Sequence, residues 1–312
     1  MLGAAVSGLA PGAFPYLGHG IGLRLPHHGE FMGEAPPPVD WLEVVSENFM
    51  VPGGRPLHVL DTVRARYPVV LHGVSLSIGA TEPLDDAYLV ALARLAHRVE
   101  PAWISDHLCW GSHGGRYGHD LWPLPYTEEA LAHVVERVEQ VQERLGRHIL
   151  LENVSSYVTF TASAMPEWEF LSEVAERADC GILCDVNNIY VSARNHGFAP
   201  ETYVDGLPPQ RIGQVHLAGH DADGPLLIDT HGAPVADAVW ALYRRAVARF
   251  GPVSTLVEWD EDVPPLDVVL AESVRARREA AGVLSLRRRQ EGDGRGATVW
   301  PGDGDVAVDG TP

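Results

Sequence analysis

The chain has 312 residues, 46% of them hydrophobic, which suffices for one large core. Its 23 Lys and Arg against 42 Asp and Glu give a formal charge of −19, which repels phosphate backbones and argues against nucleic acid as a partner without disfavouring metal cations. Three cysteines, Cys109, Cys180 and Cys184, make neither a disulfide framework nor a zinc-ribbon spacing and fit a reducing cytoplasm.

Residues 1–14 are apolar and Gly-rich but lack a basic n-region, so they read as an N-terminal extension. No apolar run is long enough to span a bilayer. Eight short apolar runs then recur at intervals suited to strand–helix units. They are His19 to Leu23, Trp41 to Val45, Val69 to Leu71, Trp103 to Ser105, Ile149 to Leu151, Gly181 to Cys184, Ile212 to Val215 and Thr255 to Val257. Continuous hydrophobic runs suit parallel strands buried on both faces. Helical patterns lie between them, at Asp86 to Val99, Thr127 to Leu145, Pro166 to Ala178, Val235 to Phe250 and Pro265 to Ala281. In the second of these, Leu131, Val134, Val135, Val138, Val141 and Leu145 step by three and four, and Glu128 and Glu129 occupy the first turn. Eight strand–helix units predict a closed (β/α)8 barrel, a TIM barrel, over residues 15–285. No Gly-rich phosphate fingerprint follows the first strand, which disfavours an open doubly wound sheet. The segment 286–312 opens on Arg287, Arg288 and Arg289, turns rich in Gly and Asp, and is expected to be a disordered tail.

Polar residues end the strands with regularity. Glu47 and Asn48 follow the second, His72 the third, Asp106 and His107 the fourth, and Glu152 and Asn153 the fifth. Asp185, Asn187 and Asn188 follow the sixth and His216 the seventh; His220, Asp229 and His231 lie in the loop beyond. Glu258 and Asp260 follow the eighth. In a barrel of this kind the C-terminal strand ends surround the active site. One polar residue after a strand is ordinarily a cap or a hydrogen-bonded loop residue. Eight together (His72, His107, Glu152, Asp185, His216, Asp229, His231, Glu258) are different, because four clustered carboxylates repel one another unless cations intervene. The set therefore predicts metal ligands. Imidazole and carboxylate without thiolate suit iron, manganese or zinc. Eight ligands exceed what one tetrahedral zinc takes, so two or three ions are expected, with Glu152 the first candidate to bridge them.

Other residues read more plainly. Cys184 should point away from Asp185, toward the helices. The Gly-rich stretch Gly111 to His119 is expected to be a mobile loop over the mouth, a lid or a peptide contact. His27 and His28 are expected to face solvent, and His196 to lie near the site without ligating.

The motifs GIGLRLP, WLEVVSENFM, HGVSLSIG, SDHLCW, GGRYGHDLWPLPYTEEAL, LLENVSSY, CDVNNIYVSARNHG, QVHLAGH, DTHGAPV and VEWD, in this order, closely resemble the DUF692 family, the multinuclear non-haem iron-dependent oxidative enzymes. The resemblance runs from about His19 to Ala281. It implies a xylose-isomerase-like barrel holding two or three irons in mixed Fe(II)/Fe(III) states. It implies O2-dependent modification of cysteines in a ribosomally made precursor peptide, and a separate partner protein that recognises the peptide. The family's ligands fall on His72, His107, Glu152, Asp185, His216, Asp229, His231 and Glu258, and Asp185 and Glu258 are taken as catalytic too. Some relatives carry a His before SEN where this chain has Val45. Two alternatives are a zinc-dependent phosphodiesterase or endonuclease on the same fold, disfavoured by the charge, and a non-catalytic metal-binding protein.

Overall fold

The computed structural model describes residues 8–9, 14–114 and 116–292. In chain order it contains β1 (His19–Gly22), α1 (His28–Met32), β2 (Leu42–Val45), α2 (Arg55–Arg64), β3 (Val69–His72), α3 (Asp86–Val99) and β4 (Ile104–His107). A hairpin of β5 (Trp110–His113) and β6 (Arg116–Trp122) precedes α4 (Glu128–Leu145), β7 (Leu150–Glu152), α5 (Glu167–Arg177), β8 (Gly181–Asp185), α6 (Val186–His196) and α7 (Pro200–Gly206). Then come β9 (Ile212–Leu217), a second hairpin of β10 (Asp221–Asp223) and β11 (Leu226–Ile228), α8 (Asp237–Phe250), β12 (Ser254–Val257) and α9 (Leu266–Gly292).

Eight strands close into a barrel in the order β1, β12, β9, β8, β7, β4, β3, β2, and every neighbouring pair is parallel. All eight runs expected from the sequence are its strands. Several extend further toward their C-terminal ends than hydrophobicity indicated: His72, His107, Glu152, Asp185 and His216 belong to the strands themselves. Backbone pairing continues there because it depends on main-chain amides, not on side-chain polarity.

Local signals set the helices. Thr127 caps α4 by accepting from Ala130 N at 3.2 Å, and Gly146, with φ of 65°, closes it. Asp85 caps α3 by accepting from Ala87 and Tyr88. The apolar faces of the helices, among them Leu131, Val134, Val138, Phe170, Trp240 and Tyr243, pack on the outer faces of the strands. Cys180 and Cys184 lie in this layer, where burial pushes the Cys180 thiol up to about 12 and raises that of Cys184, keeping both protonated.

Strand side chains alternate in and out, so the barrel interior is filled by every second residue. Toward its N-terminal end the filling is apolar, from Trp41, Val70, Trp103, Leu150, Leu183 and Leu256. Gly20 makes room for it: a Cβ there would lie 2.5 Å from the Trp41 ring. One step along come Glu43, Ser105 and Gln214, all buried, and one step further the strand-end residues named above.

Three expectations are corrected. Among the described residues, the stretch 111–119, expected to be a mobile loop, belongs to the β5–β6 hairpin, since Trp110 pairs with Trp122 and Ser112 with Tyr117. His27 and His28 are buried, and His27 Nε2 lies 2.8 Å from Pro264 O, a partner in a distant segment that local polarity could not reveal. Helix α9 continues past Leu286 to Gly292, with Val283 and Leu284 packed on the core, so Arg287, Arg288 and Arg289 are helical. Residues 293–312 lie outside those described. Among the described residues no helix is long and apolar enough to cross a membrane.

Candidate metal centre

At the C-terminal mouth the strand-end side chains form three overlapping groups. One is His72, His107 and Glu152; the next is Glu152, Asp185, His216 and Glu258; the third is His231, Glu258 and Asp260. Within each group the donor atoms lie within 4.8 Å of one another. Donors about 2.1 Å from a common cation are separated by about 3 to 4.2 Å, the spacing a metal imposes. Glu152 and Glu258 each belong to two groups, so these carboxylates would be shared between neighbouring ions. Seven of the eight residues expected from sequence fall in these groups, and Asp260 joins them.

The distances show how the groups mesh. Glu152 Oε2 is 3.4 Å from His72 Nε2 and 3.3 Å from His107 Nε2, and Glu152 Oε1 is 3.5 Å from His216 Nδ1. Glu258 Oε2 is 3.0 Å from His216 Nδ1 and 3.2 Å from His231 Nδ1. Asp229 stands beside the groups: its Oδ1 is 2.8 Å from His231 Nε2 and accepts from Asn187 Nδ2 at 2.8 Å.

Asp185 shows how the fold aims a ligand. Its Oδ1 caps α6 by accepting from Asn188 N at 2.6 Å, while its Oδ2 is buried without a partner and faces His216 and His231. Glu152 Oε2 and His216 Nδ1 are likewise buried without a hydrogen bond. Buried polar atoms are ordinarily satisfied, and orphans in the linked groups, Glu152 Oε2 beside His72 and His107 and Asp185 Oδ2 beside His216 and His231, fit bound cations. The donors are nitrogen and oxygen only; the three cysteines are buried and free elsewhere. The residues present thus fit metal ions of the iron, manganese or zinc type.

The electrostatics agree. Burial pushes Glu152 up to about 7, against the pull of His216, and raises Asp185 well above the usual carboxylate range. Glu258 resists its burial and stays well below that range because His216 and His231 flank it. Burial would lower His216 and His231, but the surrounding carboxylates raise both well above the ordinary imidazole value. His72 is lowered by burial and by its neighbour His107, their rings 4.7 Å apart. Without metal, protons must do what cations would otherwise do.

Several polar strand-end residues build the frame instead. Glu47 Oε1 accepts from Val74 N at 2.9 Å and Tyr88 Oη at 2.8 Å, and Asp106 accepts from His107 N. Asn153 Nδ2 donates to Asp185 O and its Oδ1 accepts from Asp185 N, tying β7 to β8. His196 Nε2 lies 2.6 Å from Ser156 Oγ and belongs to none of the three groups.

Besides Asp260, two further contributors to the site were not among the expected ligands. Glu43, 1% exposed inside the barrel, has its Oε2 3.2 Å from His216 Nε2 and 2.7 Å from Gln214 Nε2, while Trp103 Nε1 holds Gln214 Oε1 at 2.5 Å. This chain orients the His216 ring from below, leaving Nδ1 toward the carboxylates. The alternation Trp41, Glu43, Val45 carried the signal, since it places Glu43 on the inward face. Arg24 forks onto the other end: Nη2 reaches Glu258 Oε1 at 3.1 Å and Asp260 Oδ1 at 2.5 Å, and Nε donates to Trp259 O at 3.1 Å.

A closed parallel barrel with linked imidazole–carboxylate groups at its mouth defines a metal-binding TIM barrel. Similar solved structures agree on the fold: an endonuclease IV from Thermus thermophilus aligns with a TM-score of 0.54 at 14% identity over 87% of this chain and all of its own. A D-psicose 3-epimerase from Clostridium cellulolyticum H10 aligns at 0.51 with 13% identity, over 87% of this chain and 98% of its own. At such identity the likeness is one of fold alone. Residues 18–281 match the MbnB/TglH/ChrH family of RiPP precursor modification enzymes, and the chain belongs to that family. It is 66% identical over 273 residues to a UPF0276 protein of Anaeromyxobacter sp. (strain Fw109-5), covering 87% of this chain and 96% of that relative. It is 55% identical over 269 residues to a UPF0276 protein of Caulobacter vibrioides, covering 86% and 96%.

Proposed function

We propose that this protein holds two or three iron ions at His72, His107, Glu152, Asp185, His216, Asp229, His231 and Glu258, and uses O2 to modify cysteine residues of a ribosomally made precursor peptide. A separate protein is proposed to present the peptide, in the cytoplasm. The observation that carries the reading is the sharing of Glu152 and Glu258 between adjacent ligand groups, which favours a multinuclear site over isolated ions. Family membership supports a precursor peptide as substrate.

When bound, the iron would supply the electrons for O2 chemistry and the charge that ionises a substrate thiol. The chain's own residues prepare the rest. Asp185, its Oδ1 held by Asn188 N, turns Oδ2 toward His216 and His231 as a metal donor. Glu258 remains ionised between His216 and His231, while Arg24 fixes its outer oxygen. Glu43 and Gln214 orient His216, and Ser105 Oγ, 2.8 Å from His72 Nδ1, orients His72. Holding the reacting groups in fixed contact lowers the entropic part of the barrier.

Metal analysis after anaerobic purification from iron-replete cells should find roughly two to three irons per chain, following the donor set. O2 uptake should require a cysteine-containing peptide. A single zinc without iron, or O2 uptake indifferent to the cysteine, would overturn the proposal.

A further inference from the structure

Beside the metal centre lies an apolar pocket of about 230 Å3, between the β7–α5 loop, the segment before α4, and α6. Its walls include Tyr126, Phe160, Met165, Trp168, Phe198 and Tyr203. Trp168 meets Phe198 at 5.7 Å and Tyr203 at 5.5 Å between ring centroids, so the rings brace one another. Polar residues line it too: Ser156 Oγ lies 2.6 Å from His196 Nε2 and Ser156 N donates to Ser192 Oγ at 3.0 Å, while Thr159, Ser163 and the buried carboxyl of Glu167 also face the space. Ser156, Ser192 and His196 partner one another, burial raises the Glu167 carboxyl to about 8, and the rest of the wall is mainly apolar, so the pocket favours apolar surface.

The pocket shares a wall with the metal centre. Segment 152–157 begins at Glu152; Ser156 lines the pocket while Tyr157 Oη accepts from Asp229 N at 2.9 Å. Leu124 and Phe160 are common to this pocket and to a longer groove of about 900 Å3 running along α4 toward the β5–β6 hairpin. Val158, 57% exposed, and Phe160, 37% exposed, stand at the pocket's rim. Exposed apolar side chains flanking a concave apolar site mark a binding surface.

We propose that this pocket is a specificity subsite that takes one bulky aromatic side chain of the peptide substrate, while a nearby residue of the same peptide is presented to the metal cluster and the chain continues along the α4 groove. The inference rests on the peptide substrate of the proposed function. Size supports an aromatic occupant: an apolar cavity of about 150 Å3 accepts benzene, and the larger space here accepts an indole. A small side chain would leave it largely void.

The test is binding of N-acetyl-5-fluorotryptophanamide to the full chain without metal, followed by 19F NMR, against N-acetylalaninamide followed by saturation transfer. The aromatic probe is expected to bind about tenfold or more tightly, from the extra apolar area buried. Val158→Trp, an exposed position whose larger side chain crosses the rim, and Phe160→Ala, which removes one wall, are each expected to weaken the aromatic probe by about fivefold or more with an unchanged circular dichroism spectrum. Equal binding of the two amides, or variants that bind like the parent, would overturn the proposal. The readout needs neither metal nor turnover, so its failure leaves the metal reading standing, and failure of the iron analysis leaves this result interpretable.

Discussion

Arg24 follows β1 and carries its guanidinium to the acidic cluster, and Arg24→Met isolates its contribution. The side chain is 11% exposed, and Glu258, its closest buried partner, is 5% exposed. Removing one partner of a buried pair costs about 3–5 kcal/mol, because the other charge is left uncompensated. Asp260, its second partner, is 44% exposed and adds little after solvent screening. The lower end, about 3 kcal/mol, is therefore expected for metal-free protein, a fall in melting temperature of about 5 °C for a chain of this size. Met nearly fills the Arg volume, so little of the loss is a cavity. Metal-loaded protein should lose much less, since a cation bound by Glu258 replaces the missing charge. Scanning calorimetry of both forms measures the two losses. Equal losses with and without metal, or a loss below about 1 kcal/mol in the metal-free form, would refute the argument that Arg24 and the metal compensate the same carboxylate.

Glu152→Gln should deplete metal more than His72→Ala, because Glu152 belongs to two ligand groups and His72 to one; metal counting on both folded variants checks the order. Glu167, buried in the wall of the pocket, is pushed from 4.5 up to about 8 by burial, against stabilising contacts from Tyr126, Tyr203 and Val154 N. A raised acid pKa means the folded state holds the proton more tightly. Its stabilising contribution is complete below about 4.5 and is lost as pH rises toward about 8, at up to about 1.4 kcal/mol per pH unit. Glu167→Gln should flatten this part of the stability profile in urea titrations from pH 5 to 8, and parallel curves would disprove it. Deleting 293–312 should leave metal content and melting temperature unchanged, since that composition offers little apolar area to bury. Cutting at Leu286 instead should destabilise α9, whose Arg287 donates to Ala248 O at 3.4 Å.

The sequence by itself determined the barrel and the face on which its chemistry sits. Eight buried runs at strand–helix spacing admit few closures, and a period of two fixes which side chains look inward. That logic carries His72, Glu152, Asp185, His216 and Glu258 to one mouth before any coordinate is known. What it could not decide was direction beyond the last strand residue. Glu47 also follows a strand, yet its carboxylate turns onto Val74 N and Tyr88, where it serves the frame. Nor could it reveal sharing. Glu152 reaches both His72 and His107 because closure sets β7 beside β4 and β4 beside β3. Arg24 meets Glu258 only because β1, first in sequence, pairs with β12, last in sequence. Composition and periodicity act along the chain, whereas a multinuclear site depends on distances between strands up to 234 residues apart, and those exist only once the barrel has closed.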